Sequence, residues 1–108
     1  MSTGLVRPTD VDASPTLLHA LGDPTRWRIL QHLAAEELCT THLQDLLETK
    51  QPVMSHHLRV LRDAGLVLTE PCGRFTYYRL RPGALDDVAT GLTRLASAAQ
   101  GAPTRRPC

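Results

Sequence analysis

Apolar positions along this chain fall into short stripes with the period of an α-helix, broken once by two runs that alternate like strands. The clearest stripe lies in residues 51–63, where Met54, Leu58 and Leu61 recur at i, i+4 and i+7, the spacing of one buried helix face. Ser55, Arg59 and Arg62 occupy the adjacent face, with His56 further round and Gln51 at the leading edge. Pro52 fits the first turn, where its missing N–H has no intrahelical partner. Asp63-Ala64-Gly65 stops the helix, Gly65 being suited to a left-handed residue. Taken alone, the stretch reads first as an ordinary amphipathic surface helix. A face of Gln, Ser, His and Arg also suits DNA bases, and the neighbouring elements decide between the two.

Those neighbours are short and well punctuated. Residues 1–13 are polar and contain Pro8, which predicts a flexible arm. Ser14-Pro15 opens a helix through Leu17, Leu18 and Leu21 that Gly22 closes, and Asp23-Pro24 starts a second with Ile29, Leu30 and Leu33 inward. Trp27 and His32 lie off that stripe, so partial burial is expected for both. Leu38-Cys39 leads into a third helix over residues 40–47 with Leu43, Leu46 and Leu47 on its core face, and Glu48-Thr49 turn the chain into the helix above. Two adjoining short helices, the second polar on one side, form a helix-turn-helix candidate.

Residues 66–69 and 75–80 are strand-like and separated by Pro71-Cys72-Gly73, which predicts a β-hairpin, a wing, with Arg74 beside its tip. From Pro82 a last helix carries Leu85, Val88, Leu92 and Leu95 on one side. In so small a protein that stripe needs cover, and a second subunit is the expected source. The tail over 100–108 is rich in Pro and Gly and is expected to be flexible. The fold expected is mainly α with a small β-hairpin: a dimeric winged helix-turn-helix domain over residues 14–99.

Composition narrows the picture. A length of 108 residues suits one domain with a modest core, and no apolar run approaches a membrane span. The first residues lack the apolar core of a signal peptide, so a cytoplasmic location with no membrane partner is expected. Three widely spaced cysteines read as reduced thiols rather than a disulfide framework. Net charge is only +1, but unevenly placed: residues 1–49 carry three arginines against seven acids, whereas residues 50–82 carry six basic residues against Asp63 and Glu70. A basic region that begins at the polar-faced helix is what phosphate contact requires. No Ser/His/Asp set, phosphate loop or paired carboxylates points to an enzyme, and Asp86-Asp87 read as a solvated helix start.

Four segments, ALGDPTRWRIL (residues 20–30), LCTTHL (38–43), QPVMSHHLRVLRDAGLV (51–67) and GRFTYYRL (73–80), occur in the order of the ArsR/SmtB family, which the chain resembles over roughly residues 16–95. The resemblance implies a dimeric repressor, joined through its first and last helices, that places two reading helices in adjacent major grooves of double-stranded operator DNA. By position, Gln51, Ser55, His56 and His57 match the family's S-Q-P-x-x-S-x-H-L segment, and Arg74 matches the basic residue of the wing. Lys50 replaces the usual first Ser, so the helix cap is lost or passes to Thr49 while a phosphate contact is gained. His57 lies near the buried edge of its helix and suits structural support as well as DNA contact. The expected DNA-contacting set is Lys50, Gln51, Ser55, His56, His57, Arg59, Arg62 and Arg74.

Many such repressors are released by metals or metalloids. Arsenic-responsive relatives carry E-L-C-x-C-D-L at the third helix, where this chain reads Glu37-Leu38-Cys39-Thr40-Thr41-His42-Leu43, with the first cysteine present and the second replaced by Thr41. The zinc site of the last helix is not expected, since no histidine lies beyond His57. Cys39 stands where a capping Ser would be, and a thiol at a helix N-terminus is favoured as thiolate. The other reading is a small half-buried residue in the cap position. A thiophilic ion such as As(III) wants two or three thiolates. Cys72, five or six residues along the wing, would stand roughly 15–20 Å away, whereas Cys108, on a tail able to span roughly 25 Å, makes Cys39–Cys108 the most feasible pair, with His42 as a possible nitrogen donor. Alternatives are a thiol-redox repressor using the same cysteines, or a winged-helix interaction module that has lost DNA reading.

Overall fold

The computed structural model describes residues 15–107. The 1–13 arm and Cys108 therefore lie outside the described residues. The elements run α1 (Pro15–Leu21), α2 (Pro24–Ala35), β1 (Leu38–Cys39), α3 (Thr40–Leu47), α4 (Gln51–Asp63), β2 (Val67–Cys72), β3 (Phe75–Leu80) and α5 (Pro82–Gln100). This is the winged helix-turn-helix arrangement expected from the pattern: helices around one core, with a small antiparallel sheet.

Local chemistry explains most boundaries. The Asp23 carboxylate accepts from the backbone N–H of Thr25 and Arg26 at 2.7 and 3.1 Å, capping α2 ahead of Pro24. At the end of α4 the Gly65 N–H donates to the Arg62 carbonyl and the Leu66 N–H to the Leu61 carbonyl, at 2.9 and 3.0 Å, while Gly65 takes a φ of 77°. That pair of bonds is the Schellman stop, and Leu66 buries itself beside it. Between α3 and α4 the left-handed position falls instead on Glu48, at φ 50°.

The core is Leu17 and Ala20 of α1, Ile29, Leu30 and Leu33 of α2, Leu43 and Leu47 of α3, Met54, Leu58 and Leu61 of α4, closed by Leu38, Leu66, Val67, Ala84 and Val88. Three expectations are corrected here. Leu46 is exposed, because an eight-residue helix packed on one side buries only its Leu43–Leu47 line. Trp27 is 51% exposed rather than partly buried, since it stands on the side of α2 opposite Ile29 and Leu33. Pro71 and Cys72 belong to β2 rather than to the turn. The sheet order β1-β3-β2 leaves β2 at an edge, where proline's missing donor is tolerated. The turn itself is Gly73-Arg74, with Gly73 at φ 62° between the paired Cys72 and Phe75. Glycine at the first central position of a two-residue hairpin loop meets the need for a left-handed residue there.

The short strand β1 was not foreseen. Leu38 pairs with Tyr78 and Cys39 with Tyr77, so the chain entering α3 is tied to the base of the wing.

The last helix departs from the body of the domain. Its apolar stripe is buried at Ala84 and Val88, then runs on into solvent at Leu92, 58% exposed, and Leu95, 70% exposed. The radius of gyration is 17.6 Å, well above the roughly 13 Å of a compact chain of this length. No described helix is long and apolar enough to cross a membrane.

Candidate nucleic-acid interface and thiol–imidazole contact

Helix α4 is the centre of the candidate interface. Its Met54–Leu58–Leu61 line faces α1, α2 and α3, which leaves the other side to solvent. Gln51, Ser55, Arg59 and Arg62 fall within roughly 80° of arc on the solvent-facing side next to the Leu58 edge of that line. Gln51, Arg59 and Arg62 are exposed and Ser55 is half-buried. Gln51 Nε2 donates to Ser55 Oγ at 2.8 Å, which orders the two side chains as one polar unit. His56 is exposed but points roughly 60° beyond Arg59, nearer Val53 than the Gln51–Ser55 pair.

Lys50 precedes α4 without any side-chain cap, and Thr49 Oγ1 donates back to the Leu47 carbonyl at 3.0 Å. The cap is thus lost, not passed on. Lys50, Arg59 and Arg74 are exposed and have no ion-pair partner among the described residues. Arg62 lies 3.6 Å from Asp63 and Arg79 3.5 Å from Glu37, exposed pairs of little energetic weight. Arg74 sits at the wing tip, in the turn between the paired Cys72 and Phe75.

His57 takes the structural-support place, one of the two readings open to it. It is only 9% exposed, and its Nδ1 lies 3.2 Å from Arg26 Nη1. A guanidinium can only donate, so Nδ1 is the acceptor and His57 is neutral. Burial holds its imidazole below the usual histidine range, Arg26 pushes the same way, and Asp23 pulls against them. Its side chain faces the interior and does not join the outer stripe. Arg26, which sequence reasoning counted only as charge, is the partner it missed. The signal was there: Arg26 stands at i of the core line Ile29 (i+3), Leu30 (i+4) and Leu33 (i+7).

The second cluster lies at the start of α3. Cys39 is its N-cap residue and is 4% exposed. His42 Nδ1 accepts from the Cys39 N–H at 3.2 Å and stands 3.4 Å from Cys39 Sγ. Because that nitrogen carries no proton, the thiol is the donor in the second contact. Tyr77 closes the site edge-on to His42, ring centroids 6.1 Å apart. The strand register places Cys39 opposite Tyr77 and Tyr77 opposite Glu70, two residues from Cys72 on the same sheet face. Two strand spacings and two residues put the cysteines about 12 Å apart. That is closer than the 15–20 Å expected, yet still too far to share an ion. Cys72 is exposed beside a hollow of about 220 Å³ lined by Glu37, Glu70, Pro71 and Tyr77. No group of three or more metal-ligating side chains forms among the described residues. One thiol and one imidazole do not complete a site for As(III).

A family of helix-turn-helix domains matches residues 21–70, the span from the end of α1 into β2. The arsenical resistance operon repressor of Staphylococcus aureus is 38% identical over 77 residues, which cover 71% of this chain and 74% of that protein. The chain belongs to the ArsR/SmtB family. The HTH-type transcriptional repressor SmtB of Mycobacterium tuberculosis is 41% identical over 70 residues, 65% of this chain, and the match spans about half (52%) of the repressor's length. Among solved structures, an ArsR-like transcriptional regulator from a Rhodococcus species aligns with a TM-score of 0.70 at 29% identity, covering 79% of this chain and 80% of that one. In this ArsR/SmtB fold the helix-turn-helix is α3 and α4, and the wing is β2 and β3.

Proposed function

We propose that this chain is a homodimeric transcriptional repressor that binds double-stranded operator DNA through α4 and the wing and is released by a thiophilic effector, trivalent arsenic first. The observation that carries the DNA reading is the outer stripe of α4. Gln51, Ser55 and Arg59 are donors and acceptors held beside a buried Met54–Leu58–Leu61 keel, Gln51 and Arg59 exposed and Ser55 half-buried. Bidentate amide and guanidinium groups suit the major-groove edges of bases, and Lys50 and Arg74 suit phosphates on either side.

Support for the effector comes from Cys39 and from relatives named as arsenical resistance repressors, such as those of Staphylococcus aureus and Staphylococcus xylosus. The thiol stands at the N-terminus of the helix that packs on α4, so a ligand pulling on it biases the reading helix. The second thiolate in this reading is Cys108, from the same or the partner subunit. The contact between Cys39 Sγ and His42 Nδ1 also favours a redox variant of the same idea, since the imidazole stands where it can accept the thiol proton.

The test is binding of a duplex taken from upstream of its own gene, at several salt concentrations, with arsenite, antimonite, cadmium, zinc or peroxide added. Steeply salt-dependent binding abolished by arsenite is the expected result. Release by peroxide alone would move the reading to redox sensing, and binding without salt dependence would sink the DNA reading.

A further inference from the structure

Arg26 and His57 belong neither to the outer stripe of α4 nor to the Cys39–His42 contact, yet among the described residues they are the buried polar side chains, at 6% and 9% exposure. Arg26 Nε donates to the Ala20 carbonyl at 2.7 Å and Nη2 to the His19 carbonyl at 3.1 Å. Both are last-turn carbonyls of α1, and that of His19 also accepts from the Gly22 N–H at 3.1 Å. Nη1 donates to His57 Nδ1 at 3.2 Å, and the Asp23 carboxylate lies 3.9 Å from the same nitrogen. One guanidinium fork, rooted in α2, therefore holds the end of α1 and the inward edge of α4 at once.

We propose that the Arg26–His57 contact is a positioning latch that sets the roll of the DNA-reading helix against the α1–α2 corner, and that it closes only on a neutral His57. This rests on the DNA-binding reading above. His57 shares its helix with Gln51, Ser55 and Arg59, so a roll of α4 moves all of them relative to the groove. Phosphate contacts tolerate such a shift, whereas base contacts do not. A mis-set helix thus loses operator preference before it loses affinity for DNA in general.

Protonation would put an N–H on Nδ1 against a guanidinium that has no acceptor to offer. The charged and titratable groups facing His57 are Arg26 from α2, Asp23 from the turn before it, and His56 on its own helix with ring centroids 5.8 Å apart. Burial and Arg26 both oppose the cation, so acid opens the latch rather than tightening it.

The test compares wild type, His57→Leu, His57→Asn and Arg26→Lys on the upstream duplex and on a shuffled duplex, with thermal melting alongside. In His57→Leu at about pH 8, operator binding should weaken roughly tenfold, the scale of one charge-assisted hydrogen bond, while shuffled-duplex binding stays near wild type. On acidification below the ordinary histidine range, wild type should lose operator preference. His57→Asn, whose Oδ1 stands where Nδ1 stood and cannot titrate, should keep it. Arg26→Lys, which keeps the charge but not the fork, should repeat the His57→Leu loss, and decides the matter if the leucine variant does not fold. Undiminished operator preference in His57→Leu, or in Arg26→Lys where the leucine variant does not fold, overturns the latch, as does an acid-sensitive His57→Asn. A wild type that does not prefer the upstream duplex at all overturns the DNA-binding reading along with it.

Discussion

Replacing Leu92 and Leu95 together by Gln should convert a dimer into a monomer without unfolding the domain. The same stripe that is buried at Ala84 and Val88 continues to these residues, which are 58% and 70% exposed in the single chain. Fully burying a leucine is worth about 1.5–3 kcal/mol. With roughly two-thirds of each side chain still to be covered, one leucine gives about 1–2 kcal/mol on association. A symmetric pair buries four of them, for roughly 4–8 kcal/mol. Losing that weakens self-association a thousandfold or more. Gln keeps helix propensity close to that of Leu, so α5 itself should persist. Sedimentation velocity across the micromolar range should show wild type as a dimer and the double variant as a monomer with unchanged helical circular dichroism. A monomeric wild type, or a double variant that associates as tightly as wild type, would refute the reasoning.

Other outcomes follow from single contacts. Ser55→Ala with Arg59→Ala should cost about 1–3 kcal/mol per lost base contact and relax preference at the bases read, whereas Arg74→Ala should weaken all duplexes alike and flatten the salt slope; binding isotherms on operator and shuffled DNA separate the two. Asp23→Ala removes the α2 cap and should lower stability by about 0.5–2 kcal/mol in thermal melts near neutral pH. The Arg26 backbone N–H, then the Thr25 N–H and the Arg26 charge, hold the Asp23 carboxyl below its usual value against an opposing effect of burial. Its contribution is therefore present above the unfolded value of 3.8 and lost as pH falls through the folded one, so the two proteins should converge in acid. Cys39→Ser should bind the upstream duplex but ignore arsenite, Cys108→Ser should respond weakly or not at all, and Cys72→Ser should respond as wild type. Arsenite release of the Cys39 variant in a gel-shift assay would end the thiol reading.

What the sequence determined by itself is what short-range physics controls. The start of α2 at Asp23-Pro24, the stop of α4 at Gly65 and the Met54–Leu58–Leu61 face all depend on residues within a few positions of each other. Capping and periodicity therefore made them legible, and with them the outer stripe of Gln51, Ser55 and Arg59. Only the tertiary structure decided what lies across a gap in the chain. A two-residue strand at Leu38–Cys39 has no pattern of its own and exists because β3 pairs with it. Pro71 joins a strand because β2 is an edge. His57 stood near the buried edge of its helix with two readings open, and what it packs against was decided only when the fold put Arg26, thirty-one residues earlier, against its ring. A buried guanidinium is tolerable only where carbonyls and an imidazole converge to meet its donors. That convergence belongs to three helices at once, and no single segment of the sequence contains it.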